Sequence, residues 1–464
     1  MLQNLFEQYR LGFLTPGQFT ARNAISQFET LVENHQVIKY RPTATHAHVR
    51  PTITSLDVDS HSGGRHLLSG GDDGGVSLWG VDESSTSGGT LRCKRLRVSR
   101  RDTRHNAVVP RGARTTDDTR LVHSFETSAN KFRMYRGSRP AAVPPGEADA
   151  QSAHQFRVTS VKWYGSDNGM FFSGGNDRTV KIWDTNTFEC VQDLALGYVV
   201  NQLDCTNNSL NSVLVASDDY YPRMIDLRNM NMGVTIFGKG SQRGVPMKHE
   251  ILTCKMDPAR EYIVASGDSS GSVKVWDLRQ TNNLLVQLSR GGDSAHRASC
   301  VDICWNHEGT KLASVSLDGT IVLWDPFDNN RYVNNFSDRE NMNPFAESEH
   351  PHFKQLGETD RTRVRHARRT SQRLQWVAGK YLAVNTDLGE LQVYDTVQGK
   401  YWNKIEFPHD EGATVGRAGQ FTGLAITEDM TNGIGLRLFA GATQRARDPQ
   451  GIAPAASYLV EIRP

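Results

Sequence analysis

Histidine, serine and aspartate recur along the chain in the combination that hydrolases use for nucleophilic catalysis. A Ser stands ten residues before each of four Trp residues, and a His precedes each Ser-Trp pair by a similar interval. The sets are His48, Ser69 and Trp79; His154, Ser173 and Trp183; His249, Ser266 and Trp276; and His296, Ser314 and Trp324. A nucleophile and its base occur once in an enzyme, whereas this set occurs four times. The repetition favours a structural role.

An Asp six residues before the Trp completes the set in three of the four units, as Asp73, Asp177 and Asp318, and Ser270 takes its place in the other. A turn Asp, a loop His, a strand Ser and a Trp indole can form one buried chain of hydrogen bonds. We therefore predict structural networks of His154, Ser173, Asp177 and Trp183, and of His296, Ser314, Asp318 and Trp324.

Only one pair of cysteines has a spacing close enough to suggest a metal site. Cys300 and Cys304 lie in an apolar, strand-like run without a second pair of ligands downstream. Six cysteines in 464 residues are also too sparse for a disulfide scaffold. We predict buried, reduced thiols and no cofactor.

Two interruptions of the repeat pattern carry or adjoin basic clusters. Residues 83–153 are rich in Ser, Gly, Pro and Arg, and residues 329–365 are polar; both are predicted to be surface insertions, partly disordered. The clusters RCKRLRVSRRDTR and RTRVRHARR could attract phosphates or act as a nuclear import signal, or they could be solvated loops without a partner. The candidate residues are Arg95, Arg97, Arg100, Arg101, Arg365, Arg368 and Arg369.

Composition excludes several functional classes. The 53 Lys and Arg residues nearly balance 51 Asp and Glu residues, so the net charge of +2 gives no global attraction to nucleic acid or to anionic membranes. No window approaches the roughly 18 uncharged apolar residues that span a bilayer. The first residues lack a basic start followed by a long apolar core, so no secretory signal is predicted, and we expect the cytosol or nucleus.

The repeats predict the elements that hold these residues. Segments such as VTSVKWY, MFFSGG and TVKIWD alternate like short strands between Gly and Asp turns, as in WD repeats with four strands per blade. Weaker copies have Ile225 and Tyr394 in place of Trp, and a divergent unit occupies about 419–462. We predict an all-β, seven-bladed WD-repeat β-propeller over residues 37–464, whose ring closes when VIKYRP (37–42) joins the last blade.

Residues 1–36 are predicted to form a helix–loop–helix outside the propeller. Gly12 breaks the first helical run, and Thr15-Pro16-Gly17-Gln18 offers a capping box with Pro at the first helical position. Two short amphipathic helices cannot bury their apolar faces against each other alone. They need either the protein's own propeller or a groove on a partner.

One strand ends in a motif that suits an interface. In Trp276-Asp277-Leu278-Arg279, strand alternation predicts Asp277 and Arg279 on the face opposite Trp276, with the guanidinium free for a partner. The preceding blade repeats the tail and ends in Arg228. A forked cation on one rim suits bidentate contact with carboxylates or carbonyls.

The combined motifs resemble a known family. LGFLTP, LLSGGDDGGVSLW, VTSVKWYGSDNGMFFSGGNDRTVKIWDTNTFE and VASGDSSGSVKVWDLR are similar to the Cockayne syndrome group A family of WD-repeat proteins, including its fungal members, from about Leu11 to Asp325. The resemblance implies a nuclear, non-catalytic substrate receptor of a cullin-four-class RING ubiquitin ligase. It implies action in transcription-coupled nucleotide excision repair on a stalled RNA polymerase and its repair factors.

The resemblance also implies which residues bind the ligase adaptor, the large damaged-DNA-binding subunit. They are Leu11, Phe13 and Leu14 in the helix–loop–helix and Trp276, Asp277 and Arg279 at the end of the blade strand. The repeated pattern adds Arg228 to this predicted adaptor-binding set. The alternative function is a scaffold on chromatin or nucleic acid that binds through the basic insertions. An enzyme on a propeller would need one unrepeated polar constellation at the channel mouth, and the sequence contains no visible candidate. Direct contact with DNA and the identity of the substrate stay open.

Overall fold

The protein is described by a computed structural model over residues 2–40, 52–80, 92–96, 121–127, 130–135, 154–206, 211–228, 233–238, 248–280, 284–290, 293–318, 320–327, 373–385, 390–406, 420–429, 435–444 and 456–463. Within these ranges the regular secondary structure is β-strand, apart from two α-helices near the start and one 3₁₀ turn over Leu278–Gln280.

Seven antiparallel sheets form the blades of a propeller. Blade 1 contains β2 (Ile53–Val58), β3 (His66–Gly71), β4 (Val76–Gly80) and β5 (Arg92–Leu96). Blade 2 contains β8 (Val158–Trp163), β9 (Met170–Gly175), β10 (Thr179–Asp184) and β11 (Cys190–Ala195). Blade 3 contains β12 (Val200–Asp204), β13 (Ser212–Ser217), β14 (Arg223–Asp226) and β15 (Val234–Ile236). Blades 4 and 5 contain β16 (Ile251–Met256), β17 (Ile263–Asp268), β18 (Val273–Asp277), β19 (Leu284–Arg290) and β20 (Asp293–Ser294); and β21 (Cys300–Trp305), β22 (Leu312–Ser316) and β23 (Ile321–Trp324). Blades 6 and 7 contain β24 (Leu374–Val377), β25 (Tyr381–Asn385), β26 (Glu390–Asp395) and β27 (Lys400–Glu406); and β28 (Gln420–Asp429), β29 (Gly435–Gln444), β30 (Ala456–Arg463) and β1 (Gln36–Tyr40).

The blades form a closed ring. Their first strands contact one another in the order β2, β8, β12, β16, β21, β24, β28 and back to β2. β1 pairs antiparallel with β30 from Gln36 opposite Arg463 to Tyr40 opposite Leu459. The first strand of the chain therefore completes the last blade, as the sequence predicted, and no blade has to close the ring through a loop.

Neighbouring first strands run in the same direction. Near the strand starts, the Thr159 hydroxyl donates to the carbonyl of Val200 (2.6 Å). Near the strand ends, the Asp57 carboxylate accepts from the backbone N–H of Trp163 (2.7 Å) and from Lys162 (3.0 Å). Equivalent turns of all the blades therefore lie at the same end of the propeller.

The second blade holds the predicted structural network. The Trp183 indole N–H donates to the Ser173 hydroxyl (2.8 Å), which lies 2.6 Å from His154 Nε2, and His154 Nδ1 lies 2.9 Å from the Asp177 carboxylate. Burial raises the pKa of Asp177, but the hydrogen bonds with His154, Thr179 and the backbone N–H of Gln155 together outweigh burial and leave the pKa below its ordinary value. The four side chains thus form one chain of hydrogen bonds across the strands of blade 2.

The other networks vary around this arrangement. In blade 5, Trp324 donates to Ser314 and His296 Nε2 lies 2.7 Å from the same hydroxyl, but the link to Asp318 passes through Thr320. In blades 1 and 4, Trp79 and Trp276 donate to Ser69 and Ser266. His249 was expected to play the part of His154 in blade 4, but this expectation is wrong, because His249 is exposed. His48 lies outside the described residues.

The first predicted insertion contributes to the propeller. β5 pairs with β4, from Arg92 opposite Gly80 to Leu96 opposite Val76, so residues 92–96 are the outer strand of blade 1. The interruption between blades 1 and 2 therefore begins after Leu96 and not at residue 83. Its described residues form a hairpin of β6 (Leu121–Thr127) and β7 (Asn130–Tyr135). Residues 329–365 lie outside the described residues.

The helices are α1 (Leu2–Arg10) and α2 (Pro16–Glu33). α2 begins with the predicted capping box, in which Gln18 N–H donates to the Thr15 hydroxyl (3.3 Å) and Thr15 N–H donates to the Gln18 side chain (3.1 Å). Its buried face, with Phe28, Leu31 and Val32, joins the apolar core of blades 6 and 7. Of the two surfaces left open by the sequence, α2 therefore uses the protein's own propeller.

α2 marks one end of the propeller. It contacts Tyr381, the first residue of β25, and the N–H of Leu436 near the start of β29, which donates to Gln27 (3.2 Å). Both residues follow turns from a first to a second strand. In every blade, the turns from the first to the second strand and from the third to the fourth strand lie at this same end. We call it the helix end. Asp177 and His154 lie at the opposite end, in a second-to-third turn and before a first strand.

We predict that His154→Ala lowers the free energy of unfolding by about 1–3 kcal/mol, because it removes the buried imidazole that links the Ser173 hydroxyl to the Asp177 carboxylate. The shift in the midpoint of urea unfolding, followed by circular dichroism, measures the effect. The matched control is His249→Ala in blade 4, where the exposed side chain should change the stability by less than about 0.5 kcal/mol. Equal midpoints for the two variants would contradict the structural role of His154.

Candidate protein-docking site

The loop between α1 and α2 presents two large apolar side chains to solvent. Leu11 is 69% exposed and Phe13 is 75% exposed, whereas Leu14 between the loop and α2 is buried. Gly12 separates the exposed pair with a φ of +77°, a conformation that favours glycine. Of the three residues predicted to anchor a partner here, only Leu11 and Phe13 are accessible.

α1 is held against the start of α2 by aromatic contacts. The Tyr9 ring stacks on Phe19 at 4.8 Å between centroids, and the Phe6 ring meets Phe19 edge-on at 6.4 Å. Phe6 and Tyr9 remain partly exposed. The apolar tip formed by Leu11 and Phe13 is therefore supported by a short, packed helical hairpin.

The hairpin is fixed to the propeller by polar contacts around the apolar face of α2. The Tyr381 hydroxyl donates to the Glu29 carboxylate (2.6 Å), and Lys380 lies 3.5 Å from the same oxygen. Burial, followed by the hydrogen bond to Glu29, raises the pKa of Tyr381 to about 12, so this phenol stays a donor at neutral pH. The ring of Phe28 packs against Tyr381 at 5.4 Å.

The Arg279 guanidinium does not project from a strand. β18 ends at Asp277, whose carboxylate accepts the backbone N–H of Arg279 (2.9 Å), and a 3₁₀ turn follows over Leu278–Gln280. Asp side chains favour such turns because they replace the next strand hydrogen bond with a local one. The prediction of a free guanidinium on the strand face is therefore wrong.

The guanidinium instead folds back onto the turn. Its Nε and Nη2 atoms lie 3.0 and 2.7 Å from the two oxygens of Asp277, and its carbon lies 3.8 Å from the centroid of the Tyr262 ring. These hydrogen bonds from Arg279 lower the pKa of Asp277. The side chain of Arg279 is still 64% exposed, so its outer edge is accessible to a partner.

Blade 3 repeats the pair of Asp and Arg, and among the described residues no aromatic ring contacts its arginine. The Nε and Nη2 atoms of Arg228 lie 3.1 and 2.8 Å from Asp226, and the Arg228 side chain is 59% exposed. Arg228 and Arg279 follow the third strands of adjacent blades, which places both arginines at the helix end. The same end therefore carries two exposed guanidiniums and the hairpin.

Trp276 and Asp277, the other residues predicted to bind a partner at the end of this strand, are buried inside the protein. The Trp276 indole is 2% exposed and donates to Ser266 (2.8 Å), and Asp277 is buried. Both residues were expected to contact a partner, but Trp276 holds blade 4 together and Asp277 orients Arg279. Tyr262 was missed, because its contact with Arg279 depends on the pairing of β17 with β18 and leaves no local pattern in the sequence.

The basic clusters and the cysteine pair form no assembled binding site or catalytic site among the described residues. Arg95 lies in β5 opposite Ser77, whereas Arg97, Arg100, Arg101, Arg365, Arg368 and Arg369 lie outside the described residues. Burial raises the pKa of the Cys300 thiol well above its ordinary value and that of Cys304 to about 12, as expected for inert thiols. No cluster of three or more His, Cys, Asp or Glu side chains suited to a metal occurs in the described ranges. Neither described helix is long and apolar enough to cross a membrane.

Comparisons with known proteins support both the repeats and the fold. The WD40 family (WD domain, G-beta repeat) matches residues 40–80, 149–184, 242–277 and 290–325, which contain the four Ser-Trp units. The Cps50 (Swd1) β-propeller domain of Myceliophteria thermophila superposes with a TM-score of 0.53 over 92% of this chain and 99% of that domain. Its sequence identity is 13%, so this likeness concerns the fold alone.

Two relatives have related sequences. The WD repeat-containing protein ATCSA-1 of Arabidopsis thaliana is 24% identical over 138 residues, which is 29% of each chain. Radiation-sensitive protein 28 of Saccharomyces cerevisiae is 37% identical over 94% of this chain and 96% of its own length. Similarity on this scale extends over nearly the whole length of both proteins, and the chain belongs to the Cockayne syndrome group A family of WD-repeat proteins.

Proposed function

We propose that the protein is the non-catalytic substrate-recognition subunit of a cullin-four-class RING ubiquitin ligase in transcription-coupled nucleotide excision repair in the nucleus. Its family membership supports the DNA-repair setting. The observation that carries the proposal is the apolar tip of Leu11 and Phe13, which is exposed and yet held on a hairpin clamped to blades 6 and 7. A buried support under an exposed apolar pair is the arrangement that a docking anchor needs, because little conformational freedom is lost on binding.

The arginines supply the second contact. Arg228 and Arg279 lie on blades 3 and 4, which stand across the ring from blade 7. The ligase adaptor, the large damaged-DNA-binding subunit, would bind the helix end through both contacts. Apolar burial at the hairpin and bidentate hydrogen bonds at the arginines provide affinity and orientation respectively.

Binding at the helix end leaves the opposite end for a substrate. Ubiquitin transfer is carried out by a conjugating enzyme, so the propeller contributes by holding the substrate close to that enzyme. In this mechanism the chain itself catalyses no bond formation. The substrates we propose are stalled RNA polymerase and its associated repair factors.

Replacing Arg279 tests the arginine contact. We predict that Arg279→Ala raises the dissociation constant for the purified adaptor about 30-fold, since a central interface arginine contributes about 2 kcal/mol. Arg279→Lys should recover only part of this loss, because an ammonium group cannot form the forked contact. Surface plasmon resonance with the full chain measures all three constants. An unchanged constant for Arg279→Ala would contradict this contact.

Replacing the apolar tip tests the hairpin contact. Leu11→Ala with Phe13→Ala should weaken adaptor binding by at least about 100-fold, because burial of each such side chain contributes about 1.5–3 kcal/mol. Deletion of residues 1–34 is a poorer test, since it also removes Phe28 and Leu31 from the core. Isothermal titration calorimetry measures the binding of the double variant.

The control for the apolar tip is Phe156→Ala. Phe156 is an exposed aromatic residue just before β8, which places it at the opposite end of the propeller. Its removal should leave adaptor binding unchanged. Loss of binding in the control alone would place the adaptor at the wrong end and overturn the proposal.

A further inference from the structure

We propose that Tyr262 is a positioning residue that holds Arg279 in its docking conformation and makes Arg279, rather than Arg228, the dominant arginine of the site. This inference rests on the proposed function. It starts from a difference between two otherwise equivalent turns. Both arginines lie two residues after an Asp that ends a third strand, and both form the same forked contact with that Asp.

The residue beneath each arginine occupies an equivalent backbone position. In blade 4 the N–H of Leu278 donates to the carbonyl of Tyr262 (2.7 Å), and in blade 3 the N–H of Leu227 donates to the carbonyl of Asn211 (2.8 Å). The hydrogen bond fixes the distance between the two turns in each blade. Tyr262 and Asn211 therefore stand at the same place relative to Arg279 and Arg228.

The two side chains at this position differ in whether they present an aromatic ring to the arginine. The Tyr262 ring lies beneath the Arg279 guanidinium at 3.8 Å, a distance at which the negative face of the ring attracts the cation. Asn211 has a φ of +52°, in the left-handed region, and its amide oxygen accepts the hydroxyl of Tyr164. In the described part of the chain, the guanidinium of Arg228 contacts no aromatic ring.

The Tyr262 ring is itself well fixed. It is half-buried and packs against the core of blades 4 and 5. The turn that precedes it is tied by the Asp257 carboxylate, which accepts the backbone N–H groups of Ala259 (2.8 Å) and Arg260 (3.3 Å). A flexible arginine placed between a fixed carboxylate and a fixed ring loses less rotamer freedom on binding than one held by the carboxylate alone.

Tyr262→Leu tests this role, because leucine keeps an apolar side chain against the core but removes the aromatic face. We expect a roughly 2- to 5-fold weaker affinity for the purified adaptor, the effect of losing one partly exposed cation–π contact. Tyr262→Phe keeps the ring and should bind as the unaltered chain does. Tyr220→Leu, at an exposed tyrosine of the opposite end, should have no effect.

A double-mutant cycle separates positioning from direct contact. If Tyr262 acts through Arg279, Tyr262→Leu should have no further effect in a chain that already carries Arg279→Ala. The same cycle with Arg228→Ala should show additive losses, and Arg228→Ala alone should weaken binding less than Arg279→Ala does.

The outcomes distinguish this inference from the proposed function. Weaker binding by Arg279→Ala with no change in Tyr262→Leu would overturn the positioning role and leave the proposed function standing. An equal loss from Tyr262→Leu in both backgrounds would also overturn it, because the tyrosine would then contact the adaptor itself. Failure of the unaltered chain to bind the adaptor would overturn the proposed function and this inference with it.

Discussion

Pairing of β1 with β30 is the interaction on which the rest of the molecule depends. It closes the ring, and it also decides where the helices lie, because only two residues separate the end of α2 from the start of β1. α2 must therefore cross the helix end at blades 6 and 7, where the apolar faces of those blades receive it. Burial of Phe28, Leu31 and Val32 stabilises this position by about 1.5–3 kcal/mol for each side chain. Ring closure therefore fixes the place of the hairpin that carries Leu11 and Phe13.

The two ends of the propeller use aspartate in different ways. At the opposite end, the Asp177 carboxylate forms hydrogen bonds within the internal network that holds its blade together. At the helix end, an Asp ends the third strand in four blades and accepts the backbone N–H of the residue two positions later; these pairs are Asp184 with Asn186, Asp226 with Arg228, Asp277 with Arg279 and Asp395 with Val397. The turn needs only the Asp. The side chain two positions later can therefore vary without cost to the fold. This freedom would allow some blades to place a partner-binding residue at that position.

Local patterns explain what could be predicted from the sequence. The repeated Ser-Trp spacing predicted the blades, and the capping box at Thr15 predicted the start of α2, because both signals lie within a few residues of the structure they specify. The failed predictions have different causes. The conformation of Arg279 depends on the local turn at Asp277, and also on a ring seventeen residues earlier, which the antiparallel pairing of Ile263 with Asp277 brings into place. His249 failed because a similar sequence interval does not ensure that a loop turns its side chain inward.

The proposed site has a geometry that neither contact could provide alone. The hairpin lies at blades 6 and 7 and the arginines at blades 3 and 4, so a single partner that reaches both must lie across the mouth of the central channel at the helix end. Once one contact forms on a rigid partner, the other is made at high effective concentration, and each can be individually weak. That gain is lost if the two contacts move relative to each other. In the proposed function, the carboxylate links between neighbouring first strands, such as Asp57 with Trp163, would support docking as well as stability, because they hold adjacent blades in register around the ring.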